Sequence, residues 1–143
     1  MRAKRARMNR PDAGTISQAL YRLYALAEEY IRNPEKAKNL IQAALSKTRR
    51  QEGDKGPLEE VWDALALLIR LLQAYIRREY TTIPWSAIVM ITAAIIYFVT
   101  PVDLIPDFIP VAGFADDAAV IAFVYKQIKK VLEEFAQWEK SRP

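Results

Sequence analysis

The sequence predicts an all-α domain of about five helices: an N-terminal helical hairpin, a long helix, an apolar helix and an amphipathic C-terminal helix that follows an Asp-rich loop. Apolar residues recur at the spacing of an α-helix from Thr15 onward. No stretch alternates apolar and polar residues as half-buried strands do, and no internal repeat is visible. Asn, Gly and Pro separate the periodic stretches, where they end one helix and begin the next.

The helical hairpin is predicted over residues 14–56. Asn33 is a good N-cap and Pro34 suits the first position of a helix, so two helices meet there at a tight corner. The segment 49–56 is polar and contains two glycines, which is typical of a surface loop. The apolar stripes of the two helices are Ile16, Ala19, Leu20, Leu23, Ala27, Tyr30 and Ile31, and then Ala37, Leu40, Ile41, Ala44 and Leu45.

A helical core is predicted over residues 57–143, and we expect it to form one cooperative domain with the hairpin. Its long first helix begins at Pro57, and its apolar face is wide enough to pack against more than one neighbour. This face comprises Leu58, Val61, Trp62, Leu65, Leu67, Leu68, Ile69, Leu71, Leu72, Tyr75 and Ile76. Pro84 then opens a second helix, which is apolar on every side.

The last helix differs from the one before it. Only a short uncharged run, residues 118–125, precedes Lys126, and such a run is too short to cross the ~30 Å hydrocarbon layer of a bilayer. The rest of the helix is amphipathic, so it can pack in a bundle or enter a membrane partway. Its apolar face comprises Ile121, Val124, Tyr125, Ile128, Val131, Leu132, Phe135 and Trp138.

Residues 1–13 are predicted to be a disordered basic tail. They contain no apolar stretch of the kind that a secretory signal requires. The tail holds much of the chain's excess positive charge, at Arg2, Lys4, Arg5, Arg7 and Arg10. It is either a solubilising extension or a segment attracted to anionic lipid or nucleic acid.

The composition excludes several classes of function. The chain has no Cys and no His. Disulfides, thiolate nucleophiles, Ser-His-Asp machinery and zinc sites with imidazole or thiolate ligands are therefore excluded. Only oxygen ligands remain for a metal ion. No glycine-rich phosphate loop or helix-turn-helix signature is present, and the sequence predicts no catalytic residue and no cofactor.

Four aspartates lie in or beside the apolar loop. Thr100 and Asp103 have the spacing of a capping box, with Thr100 as the N-cap. Asp116 is predicted to cap the last helix and Asp117 to lie in its first turn, where the helix dipole favours negative charge. Capping therefore accounts for three of the four carboxylates without a ligand.

Asp107 has no such explanation, because Pro106 and Pro110 prevent a regular helix around it. It is the best single candidate for a functional residue. If it converges with Asp103, Asp116 and Asp117, the four carboxylates form a site for Mg²⁺ or Ca²⁺, or a proton or cation relay at membrane depth. The alternative is that all four serve as caps and ion-pair partners.

The apolar helix has two interpretations. The uncharged window 81–102 is long enough to cross ~30 Å of hydrocarbon, and basic residues lie on both sides of the apolar hairpin but not in its loop, which matches the positive-inside pattern. Alternatively, such a helix is what the centre of a soluble five-helix bundle requires. The candidates for the membrane interface are Arg77, Arg78, Trp85, Tyr97, Lys126, Lys129 and Lys130.

Five segments of the sequence resemble a single bacterial family. The longest is 97–117, which reads YFVTPVDLIPDFIPVAGFADD. The others are 33–36, 56–62, 68–71 and 83–85, so the resemblance extends from about Tyr24 to Trp138. They are similar to the YkvA-like family, domain of unknown function 1232, which is usually described as an uncharacterized membrane protein. The resemblance implies membrane association and implies no particular activity.

The function predicted from the sequence is a membrane-associated helical structural or interaction module. The expected location is the bacterial cytoplasmic membrane with both termini cytoplasmic, and the alternative is the cytoplasm. The expected partner is the lipid bilayer, with a protein partner or a second copy of the chain as further partners. The alternative functions are a divalent-cation-dependent hydrolase or cation-binding protein that uses the Asp-rich loop, and a soluble nucleic-acid-associated helical protein, although nucleic acid is not the expected partner.

Overall fold

The computed structural model describes residues 13–50, 59–99 and 114–142, and this part of the chain contains six α-helices and no strand. The all-α prediction is confirmed. The sixth helix arises because the predicted C-terminal helix is divided at Ile128. The helices are α1 (Ala13–Arg32), α2 (Pro34–Arg50), α3 (Glu59–Ile76), α4 (Trp85–Val99), α5 (Phe114–Gln127) and α6 (Lys129–Ser141).

The corner between α1 and α2 forms as the sequence predicts. The Asn33 side-chain oxygen accepts hydrogen bonds from the backbone N–H groups of Glu35 and Lys36, at 3.1 and 3.3 Å. Pro34 is the first residue of α2, where a missing N–H costs no hydrogen bond. The Lys36 ammonium also donates to Glu29, which ties the two helices together across the corner.

Helix α4 lies at the centre of the bundle, in contact with α1, α2, α3 and α5. From Ala87 to Phe98 every side chain is buried except Met90, which is half-buried. The buried hydroxyl of Thr92 donates to the Ile88 carbonyl at 2.8 Å, so this polar group needs no partner outside its own helix. Burial by four neighbours explains why the sequence of α4 is apolar on every side.

The predicted membrane-spanning helix is not found in the described residues. Helix α4 has 15 residues, and no helix among residues 13–50, 59–99 and 114–142 has the length and apolar character needed to cross a bilayer. The uncharged window in the sequence is longer than the helix because residues 81–84 precede the first turn of α4.

Two contacts, one at each end of the helix, fix the direction of α4. At its start, the Trp85 indole N–H donates to the Glu28 carboxylate near the end of α1, at 3.3 Å. At its end, the Phe98 ring lies edge-on to Trp62 in the first turns of α3, with ring centres 6.1 Å apart. Helix α4 is therefore antiparallel to α1 and α3, and the α3–α4 turn lies at the same end of the bundle as the α1–α2 corner.

Candidate functional site

The α3–α4 turn places two arginines on the surface. The N–H groups of Glu79 and Tyr80 both donate to the Ala74 carbonyl, and that of Arg78 donates to Tyr75, so the last carbonyls of α3 are satisfied by the turn. Arg78 has a φ of 63°, the left-handed conformation that a helix C-terminus commonly requires and that glycine adopts most easily. Arg77 and Arg78 are both exposed.

Tyr80 connects this turn to α6. Its ring centre lies 5.1 Å from that of Phe135 and 5.0 Å from that of Trp138, and these two α6 rings stack at 5.6 Å. Burial, and secondarily the charge of Glu134, raises the pKa of Tyr80 above its ordinary value. The turn that carries Arg77 and Arg78 is therefore packed against α6.

Three lysines lie where α5 meets α6. Lys126 is in the last turn of α5, and Lys129 and Lys130 begin α6. All three are exposed. Because α6 contacts the α3–α4 turn through Tyr80, these lysines and the two arginines lie on elements in direct contact. We refer to Arg77, Arg78, Lys126, Lys129 and Lys130 as the basic surface.

The cations of the basic surface make no ion pair with any residue that the structure describes. Nearby glutamates are engaged elsewhere: Glu28 accepts from Trp85, Glu29 from Lys36, and Glu79 from Arg142 at 3.4 Å. Glu133 and Glu134 are exposed on α6 and reduce the local positive charge without forming a described ion pair with it. The five cations of the basic surface are therefore not compensated by any ion pair among the described residues.

The two aromatic interface candidates lie in different environments. Trp85, the first residue of α4, is 41% exposed, and the Arg32 guanidinium lies 5.4 Å from the centre of its ring. It follows the α3–α4 turn directly and so borders the basic surface. Tyr97 is 2% exposed and lies in the core near the other end of α4. Only Trp85 is therefore placed where a bilayer can reach it.

Lys47 is a structural cation that we did not identify from the sequence. Its ammonium donates to the Phe98 carbonyl at 2.5 Å and lies 4.7 Å from the centre of the Phe98 ring. A cation at the C-terminal end of a helix interacts favourably with the helix dipole. Lys47 lies three residues after buried Ala44, beside the apolar stripe of α2. This spacing was the feature of the sequence that could have indicated a partly buried lysine.

The candidate cation site lies largely outside the described residues. Thr100, Asp103 and Asp107 belong to the segment 100–113, which the structure does not describe. Helix α5 begins at Phe114, so Asp116 and Asp117 are its third and fourth residues, and Asp116 does not precede the helix as predicted. No group of carboxylates suited to a metal ion occurs among the described residues.

Comparison with known proteins identifies a family. The family model described as "Protein of unknown function (DUF1232)" matches residues 87–123, which include most of α4 and the N-terminal part of α5. The "Uncharacterized membrane protein YkvA" of Bacillus subtilis (strain 168) is 35% identical over 74 residues, which cover 52% of this chain and 70% of the relative. The chain belongs to the YkvA-like family. No solved structure matches it.

The YkvA-like assignment confirms the family predicted from the sequence. The matched residues 87–123 begin within the central helix, so the family segment includes the part of the chain that the rest of the bundle surrounds. The relative's name describes it as a membrane protein, and neither it nor the family description states an activity.

Proposed function

We propose that this YkvA-like protein is a membrane-associated helical interaction module that binds the anionic face of a bilayer through its basic surface. The observation that supports the proposal best is the set of five exposed cations, on elements in direct contact, with no ion pair among the described residues. The membrane description of the Bacillus subtilis relative supports it from a separate direction.

The electrostatic attraction between the basic surface and an anionic leaflet is large enough to support binding. Each Lys or Arg near an anionic leaflet contributes about 1 kcal/mol, and the attraction falls off over a Debye length of about 8 Å at physiological ionic strength. Cations already paired with glutamates contribute little, because their charge is compensated. The five residues of the basic surface are not compensated in this way, so they can act together on lipid headgroups.

Trp85 supplies the apolar part of the contact. Tryptophan is favoured at the boundary between headgroups and acyl chains, because its ring is apolar and its N–H is polar. Here Glu28 and Arg32 hold the ring at the edge of the basic surface. Trp85 is therefore oriented before binding, and little side-chain entropy is lost at the bilayer.

The module is placed on the cytoplasmic face of the bacterial cytoplasmic membrane, with both ends of the chain on that side. Cytoplasmic leaflets carry anionic lipid and attract basic segments.

Vesicle co-sedimentation tests the proposal. The double variant Lys129→Gln/Lys130→Gln removes two cations of the basic surface, and Arg22→Gln/Lys38→Gln removes two exposed cations from α1 and α2, so the two variants have the same net charge. Two cations at about 1 kcal/mol each predict a ~30-fold weaker partition onto phosphatidylglycerol vesicles for the first variant. The control variant is expected to lose less than about threefold, because its two cations lie on helices outside the basic surface.

Two results would contradict the proposal. One is an equal loss for both double variants, since that would show attraction to net charge without a defined surface. The other is equal binding of the wild type to neutral phosphatidylcholine and to phosphatidylglycerol vesicles.

A further inference from the structure

Helix α6 is joined to the bundle through a single non-helical residue. Ile128 has φ −122° and ψ 32°, and it makes no side-chain cap for α6. The hydrogen bonds from Ile128 to the Val124 carbonyl and from Leu132 to the Ile128 carbonyl are kept on either side of it. The two helices therefore meet at a joint where a change in one residue's dihedral angles redirects α6.

The attachment of α6 to the rest of the bundle is narrow. Only Leu132 and Phe135 are buried along its length. The ion pairs that tie it to α3 and the turn are exposed: Arg70–Glu139 at 2.8 Å has side chains 51% and 28% exposed, and Arg142–Glu79 has side chains 47% and 35% exposed. Ion pairs of this kind contribute little to stability and weaken further near other charges.

Helix α6 is amphipathic, which is a property of helices that lie in a membrane interface. Its apolar face comprises Val131, Leu132, Phe135 and Trp138, and its opposite face is charged, with Lys129, Lys130 and Lys140 beside Glu133 and Glu134. Leu, Phe and Trp on one face with lysines on the other are typical of helices that bury one side in the boundary between headgroups and acyl chains. The lysines belong to the basic surface, so binding brings α6 to the lipid.

We propose that α6 leaves α3 at the bilayer and inserts its apolar face into the interface, with Ile128 as the hinge. The inference rests on the proposed function, because the basic surface must first bring the protein to the membrane. The partner is the anionic bilayer itself. Release uncovers Tyr80, which Arg77 and Arg78 flank in the same turn, so the vacated surface faces the same lipid and is covered by it.

A cross-link tests this movement, and the absence of native cysteine makes it specific. The double variant Arg70→Cys/Glu139→Cys is joined by a short bis-maleimide, which spans the gap that the arginine and glutamate side chains span now. The matched control is the same variant with both thiols capped by N-ethylmaleimide. Quenching of tryptophan fluorescence by brominated phosphatidylglycerol reports insertion, and Trp138 is the tryptophan of α6.

We expect both forms to co-sediment with the vesicles. Quenching is expected to be at least twofold greater in the capped form, and the added Trp138→Phe substitution should remove that difference. Equal quenching of the cross-linked and capped forms would overturn the inference while leaving membrane binding intact. Failure of both forms to co-sediment would overturn the proposed function and this inference with it. If the first pair does not fold, Glu79→Cys/Arg142→Cys provides the same comparison across the second ion pair.

Discussion

Replacing Ile91 with alanine tests whether α4 is the core of a packed bundle. Ile91 is 0% exposed, and α4 is surrounded by four helices. The substitution removes buried methyl and methylene groups and leaves a cavity that the surrounding helices close only partly. Such substitutions cost 2–5 kcal/mol, and we expect about 4 kcal/mol at this central position.

A loss of that size is readily measured by thermal unfolding. For a chain of 143 residues, it corresponds to a fall in the melting temperature of roughly 12 to 16 °C. The measurement is circular dichroism or scanning calorimetry in buffer without lipid or detergent. Met90→Ala is the matched control on the same helix, and because Met90 is only half-buried we expect about 1 kcal/mol. If Ile91→Ala destabilises the protein no more than Met90→Ala does, α4 is not packed as described.

Three further predictions concern single positions. Arg78→Gly should raise the free energy of unfolding by about 1 kcal/mol, because glycine adopts the φ of 63° without strain, and a lower stability in urea titration would contradict this. The raised pKa of Tyr80 means that the folded state holds this proton more tightly than the unfolded state, so stability present below pH 10.0 falls as the pH rises through the folded-state pKa. The melting temperature of Tyr80→Phe should therefore fall less than that of the wild type when the pH is raised above 10.0. Equal falls in the two proteins would show that Tyr80 does not contribute to the loss of stability at alkaline pH. If the loop aspartates bind a cation, millimolar Mg²⁺ or Ca²⁺ should raise the melting temperature of the wild type but not of Asp107→Asn, whereas identical melting temperatures with ion and with chelator would leave the four carboxylates as caps.

The helices could be predicted from the sequence because their determinants are local. Asn33 supplies a cap and Pro34, the next residue, a helix start, and the structure contains both. The division at Ile128 gave no such signal, since neither proline nor glycine occurs there. Helix α5 packs against α1, α3 and α4, whereas α6 packs mainly against α3, and this difference is not visible along the chain.

The environment of α4 could not be decided from its sequence. A helix that is apolar on every side satisfies lipid and a protein core equally well, because both remove the same side chains from water. The structure supplies the neighbours that surround α4, and burial from Ala87 to Phe98 follows from them.

The candidate site was only partly accessible to sequence reasoning. The five cations of the basic surface were named from the sequence as interface candidates, because charges that flank an apolar segment are visible in order along the chain. The roles of Lys47 and Tyr80 were not, because each depends on a partner more than 50 residues away. Tyr97 looked like an interfacial residue because of its place near the end of an apolar stretch, but α4 turns it into the core.

Hydrogen exchange with and without phosphatidylglycerol vesicles tests the membrane-contact surface most directly. We expect slower exchange on vesicles for backbone amides of residues 77–83 and 126–131, where the basic surface lies, and no change in the second half of α2. Slowed exchange confined to the second half of α2 and the N-terminal turns of α3, at the opposite end of the bundle, would contradict the account.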